Sequence, residues 1–342
     1  MTGPTLPSSG QEQTSVGISI MTAKQICKLL ATVFPKRSVK DLQVLSGGLV
    51  NTNIRVDFEA NFKPVVIRLY RNGAEVCRKE LALHDLLSRT IRVPRALHAE
   101  PEGFENLPAF LINEYVNALT FQELKRTNNL KAIQQASYSV GATLAAIGRF
   151  KFDKPGRLEV EGVAAPLAVG PRFTEGPDQL AGIMDTFLLS ANCERRAGPK
   201  LVQRLHDYAW SWSSRIPDLD EAPCLVHNDF GERNILVRQE NCTWVVAAVL
   251  DWEFAFSGSC LLDIGHFLRY ERRSAALREP HFSQGFVDHG GQLPNNWREV
   301  ARIVDLGGLV ECLTHDELPI DVEIELLELI NATLDHRDPN PE

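Results

Sequence analysis

The chain has 342 residues and a formal net charge of −8, a balance that does not supply the basic face of a general nucleic-acid binder. Apolar residues make up 44% of it, an ordinary share for a globular chain and enough to bury a core, and the length suggests about two domains. No apolar run reaches the roughly 18–20 residues that cross a bilayer, and the seven cysteines are scattered without a Cys-x-x-Cys pair, which argues against a disulfide framework or zinc site and for a reducing, cytoplasmic setting.

Residues 1–20 carry Pro, Ser, Gly and Thr, lack the basic start and apolar core of a secretory signal, and read as a disordered tail. Thr22 and Gln25 form a capping box ahead of Ile26, Leu29, Leu30 and Val33, a helix that Pro35 ends. Three strand-like runs follow at 41–45, 54–58 and 65–70, with Ile54, Val56 and Phe58 alternating with polar residues. The intervening Ser46-Gly47-Gly48 turn leaves room for backbone N–H groups to approach phosphates, although taken alone it reads as a plain hairpin turn. Residues 75–88 predict a helix whose stripe Val76, Glu80, Leu83 and Leu87 points one way. A glutamate inside an apolar stripe needs a partner, and Arg68 on the third strand is the natural one.

Strands at 96–99 and 109–115 complete a small sheet, and the rest of the chain reads as mostly helical. Ile133, Val140, Leu144 and Ile147 mark one helix, Leu201, Leu205, Tyr208 and Trp212 another, and further helices are predicted at 298–313 and 319–334. The Pro/Gly-rich stretch from Pro155 to Pro177 predicts a long loop or insertion bordering a substrate site.

The chemistry is concentrated in Leu225-Val226-His227-Asn228-Asp229-Phe230-Gly231-Glu232-Arg233-Asn234-Ile235-Leu236-Val237 and in Val249-Leu250-Asp251-Trp252-Glu253. Apolar runs bracket a polar loop with an Asp and an Asn five positions apart, and a further buried-strand run delivers Asp251. Oxygen ligands from Asn234 and Asp251 suit a hard cation such as Mg²⁺, which takes few protein ligands and leaves room for phosphate oxygens. Asp229 is then free to receive a proton from an attacking hydroxyl, the division of labour of kinase-type phosphoryl transfer.

His-x-Asp-x-x-x-x-Asn followed by a strand ending Leu-Asp-Trp-Glu resembles the aminoglycoside phosphotransferase family, relatives of the protein kinases. The resemblance implies an α+β, bilobal protein-kinase-like fold. It has a small antiparallel β-sheet N-lobe (21–116) and a larger, mostly helical C-lobe (117–342), with ATP bound between them. It implies ATP or GTP as phosphate donor, Mg²⁺ held by Asn234 and Asp251, Asp229 as base and a small hydroxylated molecule as acceptor, with no nucleic-acid or membrane partner. Gly47, Gly48 and Asn51 become a nucleotide-covering loop, and Arg68, paired with Glu80, takes the place of the kinase strand lysine. The stretch Glu114-Tyr115-Val116-Asn117 resembles the hinge, so Glu114 and Val116 would meet the adenine through backbone groups. Asp263, in Leu261-Leu262-Asp263-Ile264-Gly265, would accept backbone N–H bonds from the catalytic loop, and His227 would shape that loop. His266 is expected to be a packed core histidine.

A protein kinase is the first alternative. Trp252 to Leu262 leaves too little chain for an activation segment, and no Ala-Pro-Glu occurs. A non-catalytic nucleotide-binding protein of the same fold is the second. Retention of Asp229, Asn234 and Asp251 speaks against it, while the arginine at the lysine position speaks for it. On substrate the only hint is Asp316, Glu317, Asp321, Glu323, Glu325, Glu328, Asp335 and Asp338, almost unopposed by basic residues in sequence. Such a run steers a cationic amino alcohol or aminoglycoside-like sugar, or is simply a solvated helix face.

Overall fold

The computed structural model describes residues 23–45, 51–60, 62–105, 107–162, 165–171, 179–213, 222–272 and 277–335. It divides into two compact units, the first running to Cys77 and taking in Ala96–Tyr115, the second made of Arg78–Arg95 and the chain from Val116 onward.

In the first unit α1 (Ala23–Val33) buries Ile26, Leu29 and Leu30; its expected cap, Thr22, and the turn glycines Gly47 and Gly48 lie outside the described residues. The strands β1 (Val39–Leu45), β2 (Thr52–Phe58), β3 (Val65–Leu69), β4 (Ala96–Glu100) and β5 (Phe110–Glu114) form an antiparallel sheet in the order β1-β2-β3-β5-β4. The period-two pattern of β2 buries Ile54, Val56 and Phe58 on one face, whereas central β3 is buried almost throughout. These side chains, with those of α1 and with Phe110 and Ile112, make one core. The helix α2 (Ala74–Leu87) begins here, with Cys77 Sγ donating to Phe110 O, and continues into the second unit. Its buried face is Cys77, Glu80, Leu83, His84 and Leu87, which keeps three of the four predicted stripe residues, while Val76 is only half-buried and Cys77 takes its place.

The second unit opens with β6 (Leu119–Thr120) and α3 (Phe121–Arg126), whose start is a capping box: Glu123 N donates to Thr120 Oγ1 and Thr120 N to Glu123 Oε2. Asn129 caps α4 (Leu130–Ile147). The stretch expected to be loop contains β7 (Gly156–Glu159) and β8 (Ala168–Val169), and β7 buries Gly156 and Leu158 while exposing Arg157 and Glu159. Four alternating residues are too short a signal to stand out among prolines and glycines, but they suffice to add an edge to a sheet. Next come α5 (Gln179–Leu188) and α6 (Ala191–Ser213), the latter broken at Gly198, whose φ of 73° precedes Pro199. Proline has no N–H to continue the ladder there.

The strands β9 (Cys224–Val226), β10 (Ile235–Glu240), β11 (Thr243–Val249) and β12 (Phe256–Gly258) carry the site. β12 pairs with both β7 and β9, and β10 pairs with both β6 and β11. Among the described residues four α-helices follow: α7 (Leu261–Leu268), α8 (His281–Asp288), α9 (Trp297–Cys312) and α10 (Ile320–Asp335). α4 and α8 meet glycine to backbone: a Cβ on Gly141 would lie 2.0 Å from Phe282 O, and one on Gly285 2.0 Å from Tyr138 O. One core joins α3, α4, α7, α8 and β9–β11, and a second, all-helical one joins α5, α6, α9 and α10.

Candidate active site

The loop 227–234 is held from several sides. β9 delivers His227, which is fully buried, and Asn228 follows with a positive φ of 67°. His227 Nδ1 accepts the Asp229 N–H at 3.2 Å, so the ring's proton sits on Nε2, which donates to Leu250 O at 2.7 Å. The ring packs against Trp252 with centroids 4.5 Å apart. Asp263, fully buried on α7, accepts the N–H groups of His227 (2.8 Å) and Asn228 (2.9 Å) through its two oxygens, the supporting role expected of it. From the other side buried Glu232 receives Lys125 Nζ at 2.5 Å and the Arg278 guanidinium, and Arg278 also donates to Phe267 O. Burial pushes Lys125 down to about 8, helped by the charge of Arg278, and pushes Arg278 down to about 9.

The β10–β11 hairpin supplies the second part of the site. Its turn residues Asn241 and Cys242 both have positive φ (47° and 64°), as a two-residue turn with strand-matching twist requires. The register pairs Ile235 with Val249, and Leu250 N donates to Asn234 O at 2.8 Å, so Asn234 and Asp251 emerge side by side. Asp251 itself has a φ of 65°. Asn234 Nδ2 donates to Asp229 Oδ2 at 2.8 Å and to Asp229 O at 3.0 Å, leaving its Oδ1 as the amide end for a cation. Burial pushes the Asp229 carboxyl up to about 6; the charge of Asp251 adds to this, while the Asn234 hydrogen bond works against it. The Asp251 carboxylate and the Asn234 amide oxygen are hard-oxygen donors of the kind that suits Mg²⁺, with the Asp229 carboxylate beside them. Among the described residues no group of three or more His, Cys, Asp or Glu gathers into a metal cluster.

Two further side chains, His266 and Lys79, were not expected at the site. His266 is not packed away in the core: its Nε2 lies 3.4 Å from Asp229 Oδ1, with 19% of its side chain exposed. Lys79, on α2, donates to Ala255 O at 3.4 Å; burial lowers its pKa, and the charges of Glu253 and Glu80 oppose that. No sequence spacing announces either. Buried Glu80 has His84 Nε2 at 3.7 Å, one helical turn along.

In the first unit Asn51 is buried just before β2. Its Oδ1 accepts the Arg71 N–H at 3.3 Å, and its buried Nδ2 has no hydrogen-bond partner among the described residues. Arg68 is buried on β3 with its guanidinium 5.4 Å from the Tyr70 ring. Glu114 ends β5 opposite Val65. Val116, which belongs to the second unit, packs with Leu236, Ala247 and Ala248.

Part of the unopposed acidic face read from the C-terminal sequence is paired in space. Arg196 and Arg204, from α6, hold Glu323 (3.2 Å) and Asp335 (2.7 Å), and Asn192 donates to Asp316 (2.9 Å). Among the described residues no helix is long and apolar enough to cross a membrane.

An antiparallel sheet unit and a mostly helical unit, the second with an Asp-Asn loop beside an Asp-ended hairpin, make up a kinase-like fold. The model of the phosphotransferase enzyme (APH) family matches residues 41–302, and the chain belongs to that family, whose members phosphorylate alcohol groups. A thermostable mutant of aminoglycoside phosphotransferase APH(4)-Ia, in ternary complex with ADP and hygromycin B, superposes with a TM-score of 0.64. It is 20% identical, over 91% of this chain and 98% of that one. The GDP complex of aminoglycoside 2'-phosphotransferase-IIIa gives 0.65, with 16% identity over 92% and 99%. At these identities the likeness is one of fold. Short segments resemble acyl-CoA dehydrogenase family member 11 of Rattus norvegicus, 43% identical over 61 residues (18% of this chain, 8% of that protein). The Mus musculus protein is 45% identical over 81 residues (24% and 9%), so the match spans less than a tenth of these curated relatives.

Proposed function

We propose that the protein transfers the γ-phosphate of ATP or GTP to a hydroxyl of a small molecule, such as an aminoglycoside-like sugar or an amino alcohol, with Asp229 as the base. The observation that carries this reading is the hairpin register that sets Asn234 beside Asp251 while the same Asn234 amide holds the Asp229 carboxylate. Asn234 Oδ1 and the Asp251 carboxylate would hold Mg²⁺, which when bound neutralises charge on the transferring phosphoryl group. Asp229, ionised above about pH 6, takes the proton of the acceptor hydroxyl. Asn51 and Arg68 offer donors to phosphate oxygens, and the backbone at Glu114 and Val116 offers hydrogen bonds to a purine; the sequence motif assigns Gly47 and Gly48, outside the described residues, to nucleotide binding as well. Solved relatives of this fold carry ADP, AMP-PNP or GDP, and hygromycin B or kanamycin, which supports both the nucleotide and the small acceptor.

The test is a panel of aminoglycosides, amino alcohols and hydroxylated metabolites incubated with Mg-ATP and Mg-GTP, followed by ³¹P NMR of the products. A new phosphate ester on one acceptor class is the expected result. Tight nucleotide binding with no ester on any acceptor would replace this reading with a non-catalytic nucleotide-binding protein.

A further inference from the structure

α7 presents two polar side chains to the catalytic loop from one face. Asp263 holds the backbone of His227 and Asn228, and His266, three residues on and so nearly one turn further, brings Nε2 to 3.4 Å from Asp229 Oδ1. The two oxygens of the Asp229 carboxylate are thus addressed separately, Oδ2 by Asn234 and Oδ1 by His266. Gly231 makes the approach possible: a Cβ there would come within 3.0 Å of His266 Nε2. Arg269 and Arg233 are the cations whose charge lowers the proton affinity of Asp229. Arg269 is committed to Asp305, through NH2 to Oδ1 at 2.7 Å and Nε to both oxygens at 3.1 Å.

We propose that His266 is a positioning residue for Asp229: its Nε2–H donates to Oδ1 and, together with Asn234, fixes the rotation of the carboxylate about its Cβ–Cγ bond. This rests on the assignment of Asp229 as base and deepens it. A carboxylate held at one oxygen only swings about that contact, and misplacing a reacting group by about 1 Å costs about 100-fold in rate. Held at both, it presents a fixed lone pair to the acceptor hydroxyl. Because His266 acts through Asp229, its loss lowers kcat without changing nucleotide binding, and it has no further effect once Asp229 is gone.

Two readouts test this on the full-length protein. In ¹⁵N imidazole spectra, Asp229→Asn and Gly231→Ala are each expected to shift the His266 Nε2 resonance, with the histidines other than His227, whose Nδ1 accepts the Asp229 N–H, unmoved by the first change. An unmoved His266 signal in both variants overturns the pairing. In kinetics, His266→Leu is expected to lower kcat about 10- to 100-fold with the Mg-nucleotide KM unchanged, while His266→Gln, whose amide nitrogen reaches the Nε2 position, recovers part of the loss. Leucine and wild type giving equal kcat, or His266→Leu adding a full further loss to Asp229→Asn, overturns the positioning role. A wild-type protein that phosphorylates no acceptor overturns the parent reading instead, and the imidazole spectra then still decide the contact.

Discussion

Asn234 donates through one amide nitrogen to both the carboxylate and the main-chain carbonyl of Asp229, at 2.8 and 3.0 Å. The loop acid is therefore fastened to the start of β10, and its proton affinity is set by what surrounds it. Burial and the charge of Asp251 raise the Asp229 carboxyl to about 6, and the Asn234 bond opposes them. In metal-free protein, ¹³C NMR titration should give a midpoint near 6 for Asp229. Asp251→Asn should move it down by removing a like charge, and Asn234→Ala should move it up by removing a donor to the ionised form. Shifts in the opposite directions would mean that these neighbours do not control the base.

Asp229→Asn keeps the shape of the side chain and abolishes its capacity to take a proton. A decrease in kcat of about 10²–10⁴-fold is expected, the usual worth of a positioned base, with nucleotide affinity little changed. Near wild-type turnover in steady-state assays would remove Asp229 from the mechanism.

Asp251 brings the only full negative charge among the two side chains assigned to Mg²⁺. Calorimetry with and without Mg²⁺ should show that Asp251→Ala loses the metal-dependent part of ATP binding. The same metal dependence in variant and wild type would sink the assignment.

The centre of the site was legible because its parts are close in sequence or linked by one hairpin. Asp229 and Asn234 are five positions apart, and the β10–β11 pair brings Asp251 back to the same end. Asp263 was legible from its motif. His266 was not, because a histidine in an apolar eight-residue helix looks like core, and only the crossing of α7 beneath Gly231 turns it toward Asp229. Glu323 and Asp335 of α10 looked unopposed because their partners, Arg196 and Arg204, stand more than a hundred residues away on α6. In α2 the half-buried Val76 and the buried Cys77 exchanged places, since both are apolar and lie within one residue of the correct face. The helix α8 escaped prediction altogether: its eight residues, with Gly285 at the centre, carry too short a periodic signal.

That glycine has a measurable role. Gly141 and Gly285 let α4 and α8 meet backbone to backbone, each leaving only 2.0 Å between a would-be Cβ and a carbonyl oxygen of the other helix. Gly141→Ala and Gly285→Ala should each destabilise by about 1–3 kcal/mol or more, the cost of overpacking against a backbone that cannot yield. Gly308→Ala, in α9 with nothing within 4 Å of its Cβ position, should stabilise by up to about 1 kcal/mol through helix propensity. Urea unfolding of the three variants checks the contrast, and equal effects at all three positions would mean that the α4–α8 contact is looser than described.

Asp263 offers a prediction that joins stability to catalysis. It is fully buried, and its only polar contacts among those described are the N–H groups of His227 and Asn228. Burial pushes its carboxyl up to about 7 against an ordinary value of 3.8, although both N–H bonds pull it down. Between those values the folded protein keeps a proton that the unfolded chain has released, so this group makes stability fall as pH rises from about 4 to about 7 and contributes no slope above that. Asp263→Asn does not titrate and so lacks that part of the slope. The stability gap between wild type and variant should therefore be widest at the acidic end of the window and narrow toward pH 7. In the variant one backbone N–H of the loop also faces an amide NH₂ in place of an acceptor, an unsatisfied buried donor that costs about 1–3 kcal/mol. Since that donor belongs to His227 or Asn228, immediately before the base, kcat should fall as well, and Asp263→Ala, which frees both N–H groups, should lower it further. Denaturant midpoints measured across the window give the first part and steady-state kinetics the second. A gap that stays constant with pH would show that Asp263 is ionised throughout, and unaltered kcat in both variants would show that the loop keeps its shape without this anchor.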